Sequence, residues 1–262
     1  MSNPIHSQVI ERRSIRKYKP DPVPEEVLKR ILEAATRSSS SGNMQAYSVI
    51  VTSDPSIRAE MLKAHFDQRM VVEAPLFLTF CADFHRMREW LVLREAPMNF
   101  DNFMSFMIAA IDSILAAQTA SLAAEAEGLG ICFLGTTLAS CGDLAKILQC
   151  PSHVVPVVGF CMGYADESPA PRDRLPLESL VHRERYEQKA VEEAYRIREV
   201  TGWKRYLESP ELRKKIEDSG VENLAQVYTK LKYTRESHVE YSRAVTTCLE
   251  ERGFLGTEAP MF

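Results

Sequence analysis

No CxxC pair occurs among the six cysteines of this chain, which stand singly at positions 81, 132, 141, 150, 161 and 248. The six histidines (His6, His65, His85, His153, His182, His238) show no ligand spacing. A metal site and a disulfide framework are thus both disfavoured, and reduced thiols in a core are expected instead. A basic excess is missing too. The chain carries 32 Lys and Arg against 36 Asp and Glu, a net charge of −4, so no positive field invites nucleic acid. No charged stretch leads into an apolar one at the start, so a secretory signal is not expected. Internal repeats are absent, and low complexity is confined to the four serines 38–41. These absences predict a soluble, cytoplasmic protein without metal, nucleic-acid or membrane partners.

What is present is enough apolar sequence for a sizeable core: 262 residues, 45% of them hydrophobic. Asn3-Pro4 opens a short helix running to about Glu11, and Pro24-Glu25-Glu26 opens a second with Val27, Leu28, Ile31, Leu32 and Ala35 as its apolar stripe. Tyr47 to Thr52 reads as a strand, and Asp54-Pro55 caps another helix. Leu76 to Ala82, Ile131 to Leu134 and Val155 to Met162 are apolar runs of buried-strand type. Asn102 to Glu127 is the longest helical pattern. Its Asp112, Gln118, Glu125 and Glu127 argue against a membrane span and for a core or interface helix. The whole predicts α and β elements around a central sheet of four or five strands. Beyond Pro176, residues 183–220 are charged and helical in pattern, and 221–254 form one or two amphipathic helices. Such a tail must pack on the main body or on a partner.

Two cationic clusters carry the functional signal. Arg12-Arg13-Ser14-Ile15-Arg16 lies near the start, and Arg172-Asp173-Arg174-Leu175-Pro176 about 160 residues later. Either alone reads as a solvated charge run. Together they suit one phosphate monoester, which guanidinium forks and a hydroxyl hold well. Extended backbone would turn Arg12, Ser14 and Arg16 to one side, and Arg172 and Arg174 likewise.

In five separate segments the chain resembles the FMN-dependent nitroreductases, and within them the larger oxygen-insensitive NADPH nitroreductases and NADPH-flavin oxidoreductases. The segments are Arg13-Ser14-Ile15-Arg16; Ser38 to Ser41 with Gln45; Phe80 to Phe84; Gly128-Leu129-Gly130 with Gly135; and Arg172 to Pro176. The likeness runs over residues 9–186, with a fainter one in the tail.

The resemblance implies an α+β fold: a central, mainly antiparallel sheet flanked by helices, with a C-terminal helical arm. Residues 1–182 would be the FMN-binding core and 183–262 the extension. It also implies a homodimer with two FMN sites at the interface. Arg13, Ser14, Arg172 and Arg174 would take the phosphate, with Arg12 offering its backbone or a weaker contact. Arg16 would face the ribityl chain and the pyrimidine edge, where a cation stabilises the charge of the reduced ring. Ser39, Ser40 or Ser41 and Gln68 would bond the flavin, and Leu134, Gly135 and Thr136 would pass close to it with their backbone. Thr136 stands where the family usually has a second Gly, Arg12 where it has His, and Arg172 where it has Lys. The implied activity is ping-pong reduction of nitroaromatics, quinones or flavins by NADPH or NADH, with no catalytic side chain. A flavin store or sensor without turnover is the alternative. Lys230, Lys232 and Arg235 are candidates for the 2′-phosphate of NADPH or, equally, a solvated helix face. Phe100, Phe103, Met104 and Met107 read for the most part as core or dimer packing, with an apolar substrate lining over the flavin as the alternative.

Overall fold

The computed structural model describes residues 3–255; residues 1–2 and 256–262 of the expected spans lie outside the described residues. The described chain divides into two compact units. One holds the residues up to Ala170 and those from Tyr241 onward; the other is Pro171–Glu240. Residues 171–182 therefore group with the arm, and the last helix, Arg235–Glu251, is shared between the units.

The first unit is built on a four-stranded sheet of β1 (Tyr47–Thr52), β2 (Leu76–Asp83), β3 (Gly130–Leu134) and β4 (Val154–Gly163), ordered β1-β2-β4-β3. Every pairing is antiparallel. β2 and β4 occupy the middle, which is why both read as continuous apolar runs: each has a neighbour on both edges and a covered surface on both faces. Between Phe80 and Cys81 the β2–β4 register slips by one residue. The slip falls beside Pro156, which has no amide proton for the ladder.

Alternation along β2 divides the core. Leu76, Leu78 and Phe80 face the central helix Phe103–Ala126 and the helix Glu25–Ala35, through Ala116, Ala117, Ala120, Leu28 and Ile31. Phe77 faces the other way, with Met61, Val71, Leu134 and Leu144. Small alanines let the central helix lie close to the sheet. It is the one described helix long and apolar enough to cross a membrane, and half of its most apolar window is buried inside the protein. Its outer stripe of Met107, Ile111, Ile114 and Leu115 is exposed in the single chain.

The helix signals act as expected. Asn3 accepts from Ile5 N at the first helix, Asp54 from Ser56 N and Ile57 N at the third, and Asn102 from Ser105 N at the central one.

The second unit is helical: Val191–Glu208, Pro210–Ser219, a short turn at Leu224–Gln226 and a π-helical stretch at Val227–Lys232. Ile216, Val221 and Val227 form its small core, with Trp203, Tyr206 and Leu207 against them.

Candidate cofactor site

The first helix, Pro4–Glu11, ends at Arg12, where the backbone turns extended. Ile15 then donates its N–H to Ile131 O in β3 at 3.0 Å and buries its side chain over Gly130. A Cβ at Gly130 would sit 2.6 Å from Ile15, so only glycine lets this segment lie so close. Tyr18 locks the turn by donating to Ile15 O at 2.6 Å, and burial pushes its phenol well above the ordinary range. Glu167 accepts from the backbone N–H groups of Arg16 and Lys17.

This placement separates the cations. Arg12 pairs with Glu125 at 3.5 Å and lies over the Phe133 ring, so its charge is committed. Burial pushes the Glu125 carboxyl up, and Arg12 opposes that shift. Among the described residues Arg13 meets only carbonyls, Glu11 O at 3.2 Å and Pro169 O at 3.4 Å, which leaves its charge unbalanced by those contacts. Ser14 is half-buried and Arg16 exposed. Arg12 and Arg13, with Ile15, Glu125 and Glu167, line a cavity of about 370 Å³.

The serine loop is held from the central helix. The Asp112 carboxylate, fully buried, accepts from Ser41 N at 2.9 Å and from Ala46 N at 3.3 Å. Ser39 stays exposed, Ser40 and Ser41 half-buried, and the Ser38 hydroxyl is buried without a partner among the described residues. Gly42, Asn43 and Gln45 all take left-handed backbone here.

Gln68 and Thr136 come together around a residue the sequence did not mark, His65. Its Nδ1 lies 2.8 Å from Thr136 Oγ1, while Gln68 Nε2 donates to His65 O at 3.1 Å and reaches Thr136 Oγ1 at 3.4 Å. A lone histidine in a turn offers no spacing signal, so nothing in the sequence could have found it. Next to this network Leu134 ends β3 buried and Gly135 is exposed. A Cβ at Gly135 would meet nothing within 4 Å, so the space over the turn is open to a flat group. With the orphaned Ser38 hydroxyl and the unbalanced Arg13, these residues fit a phosphorylated ring.

Arg172 and Arg174 lie in the second unit, in a segment without regular structure rather than the expected strand, and both are exposed. Arg174 Nη1 donates to Arg172 O at 3.4 Å. Arg172 lines an arm cavity of about 540 Å³ with Arg198, Arg205 and Lys232. Lys232 Nζ sits 4.7 Å over the Tyr206 ring, and Arg198 donates to Tyr228 Oη at 2.8 Å. Of the tail candidates only Lys232 reaches this cavity. Arg198 and Arg205 are the cations that the sequence reading missed. Their i, i+7 spacing, with Thr201 and Gly202 between, was the available signal, since it puts all four on one helix face. No cluster of three metal-ligating side chains occurs among the described residues.

An antiparallel α+β core with a helix-anchored serine loop and an open glycine turn defines a cofactor-binding class of fold. Residues 9–164 match the nitroreductase family model, and the chain belongs to the nitroreductase family. It is 32% identical over 188 residues to the FMN reductase (NADPH) of Bacillus subtilis strain 168, covering 71% of this chain and 75% of that protein. Among solved structures it is similar to the NfrA1 nitroreductase from B. subtilis, with a TM-score of 0.82, 25% identity and coverage of 95% and 98% of the two chains. It is also similar to the NADPH:FMN oxidoreductase from Vibrio harveyi complexed with NAD+, with a TM-score of 0.76, 25% identity and coverage of 96% and 99%.

Proposed function

We propose that this chain is an NAD(P)H-dependent flavoprotein oxidoreductase that holds FMN and reduces nitroaromatics, quinones or flavins in a ping-pong order. One observation carries the reading: the family match over residues 9–164 contains the Arg13–Arg16 element, the serine loop, Gln68 and the Gly135 turn. Bound FMN supplies the hydride chemistry, so no protein nucleophile or base is required.

The chain's own residues bind and orient. Arg13, whose hydrogen bonds among the described residues go to carbonyls, and Ser14 would hold the phosphate. Arg16, exposed, would serve the pyrimidine edge, where a fixed cation favours the reduced ring. Ser39, Ser40 and Ser41 offer hydroxyls from a loop that Asp112 fixes. Gly135, exposed and without a side chain, would let the ring approach the turn between Leu134 and Thr136.

A homodimer accounts for the exposed stripe Met107, Ile111, Ile114 and Leu115 on the central helix, which a second copy would cover. Six free, buried cysteines support a cytoplasmic setting. The deciding experiment is steady-state turnover of the FMN-loaded protein with NADPH and NADH against a nitroaromatic and a quinone. A yellow protein that turns over neither acceptor, nor free flavin, would refute the catalytic reading.

A further inference from the structure

We infer that His65 is a positioning residue which forces the Thr136 hydroxyl to act as an outward hydrogen-bond donor to the flavin at the Gly135 turn. This rests on the FMN reading above and adds a directed side-chain contact to the backbone approach.

The argument is one of counting protons. Gln68 Nε2 lies 3.1 Å from His65 O, a carbonyl that can only accept, so the nitrogen and not the oxygen of that amide faces the network. Its other proton goes to Thr136 Oγ1 at 3.4 Å and occupies one lone pair. The second short contact of Oγ1 is His65 Nδ1 at 2.8 Å. If Nδ1 carries the imidazole proton, both Oγ1 lone pairs are filled and the hydroxyl proton has nowhere to go but out. If Nε2 carries it, the hydroxyl turns inward to Nδ1.

The surroundings of Nε2 select the first arrangement. Nε2 is buried without a partner among the described residues, and the ring packs 4.9 Å from Phe77. A proton there would be a buried N–H with no acceptor, the kind of orphan that folded proteins avoid most strictly. Both nitrogens cannot be protonated at neutral pH, because burial pushes the imidazole down to about 4. The turn is held at a cost, since Phe66 and Asp67, the two residues after His65, both take left-handed backbone at φ 56°. Among the described residues, no other protein group bonds Thr136 Oγ1.

Two measurements test this. In the flavin-free parent, the ring ¹⁵N shifts of His65 report the tautomer directly, and a protonated Nδ1 is expected. FMN titration of the same protein and of Thr136→Val then reads the outward donor. The isosteric valine is expected to weaken FMN two- to tenfold, the worth of one neutral hydrogen bond, and to shift the visible flavin bands. His65→Phe should weaken FMN in the same direction, and His65→Asn, whose amide can donate from near the Nδ1 position, should restore it. A protonated Nε2 overturns the inference, as does a Thr136→Val protein whose FMN affinity and spectrum equal the parent's; either result leaves the FMN reading standing. A parent that takes up no FMN overturns both.

Discussion

Asp112, in the middle of the longest helix, accepts from the backbone N–H of Ser41 at 2.9 Å, and so joins the central helix to the serine loop. Its second oxygen takes Ala46 N at 3.3 Å, next to the start of β1. Asp112→Ala would strand two backbone donors, one of them fully buried, at a cost of roughly 2–4 kcal/mol. Urea denaturation should show that loss together with a lower flavin content. Asp112→Asn, which keeps one acceptor, should fall between. Parental stability in the alanine variant would mean that the loop holds itself.

Gly130→Ala tests how the Arg13–Arg16 segment is seated. The new methyl would meet Ile15 at 2.6 Å, near that residue's backbone rather than at a flexible tip. Overpacking of this kind costs about 1–3 kcal/mol. Adding Ile15→Ala should recover part of it, so the double variant should be more stable than the sum of the two singles predicts. Strict additivity would show that the two positions do not meet.

Arg13→Ala should weaken FMN binding about ten- to hundredfold, as removal of one charge-assisted phosphate contact does. Arg12→Ala should do less to affinity, because Arg12 is paired with Glu125. Titration of flavin-free protein compares the two, and a reversed order would assign the phosphate to Arg12.

Stability should fall in mild acid through His65. Unfolded, its imidazole gains a proton near the ordinary value of 6.5; folded, burial delays this to about 4. Between those values the unfolded chain binds the extra proton, so stability present above about pH 6.5 is lost progressively as pH drops towards 4. The loss attributable to this residue is at most about 3 kcal/mol. Urea midpoints at pH 7, 5.5 and 4.5 should fall less steeply in His65→Asn than in the parent; equal slopes would show that His65 does not titrate differently on folding.

Charge reversal at Lys232 or Arg205 should raise the KM for NADPH about tenfold while leaving NADH nearly unchanged, since only NADPH carries the extra phosphate. Both cations line the arm cavity beside Tyr206. Equal loss with both cofactors would instead mark them as supports of the arm's own packing.

The sequence alone determined the strands, the long helix and the caps. β1 runs from Tyr47 to Thr52 as read, and β2, β3 and β4 extend their apolar runs by one or two residues. Such elements are legible because periodicity, run length and capping are local signals, repeated over many residues. The Arg13–Arg16 element and the serine loop were legible only as short motifs resembling those of a family, taken together in order. Tertiary structure decided the polar partnerships: Asp112 beneath the serine loop, Glu125 on Arg12, and His65 between Gln68 and Thr136. His65 and Thr136 lie 71 residues apart, as do Ser41 and Asp112. A hydrogen bond depends on one pair of atoms meeting in one orientation, and that meeting is set only when the sheet and central helix bring distant segments together.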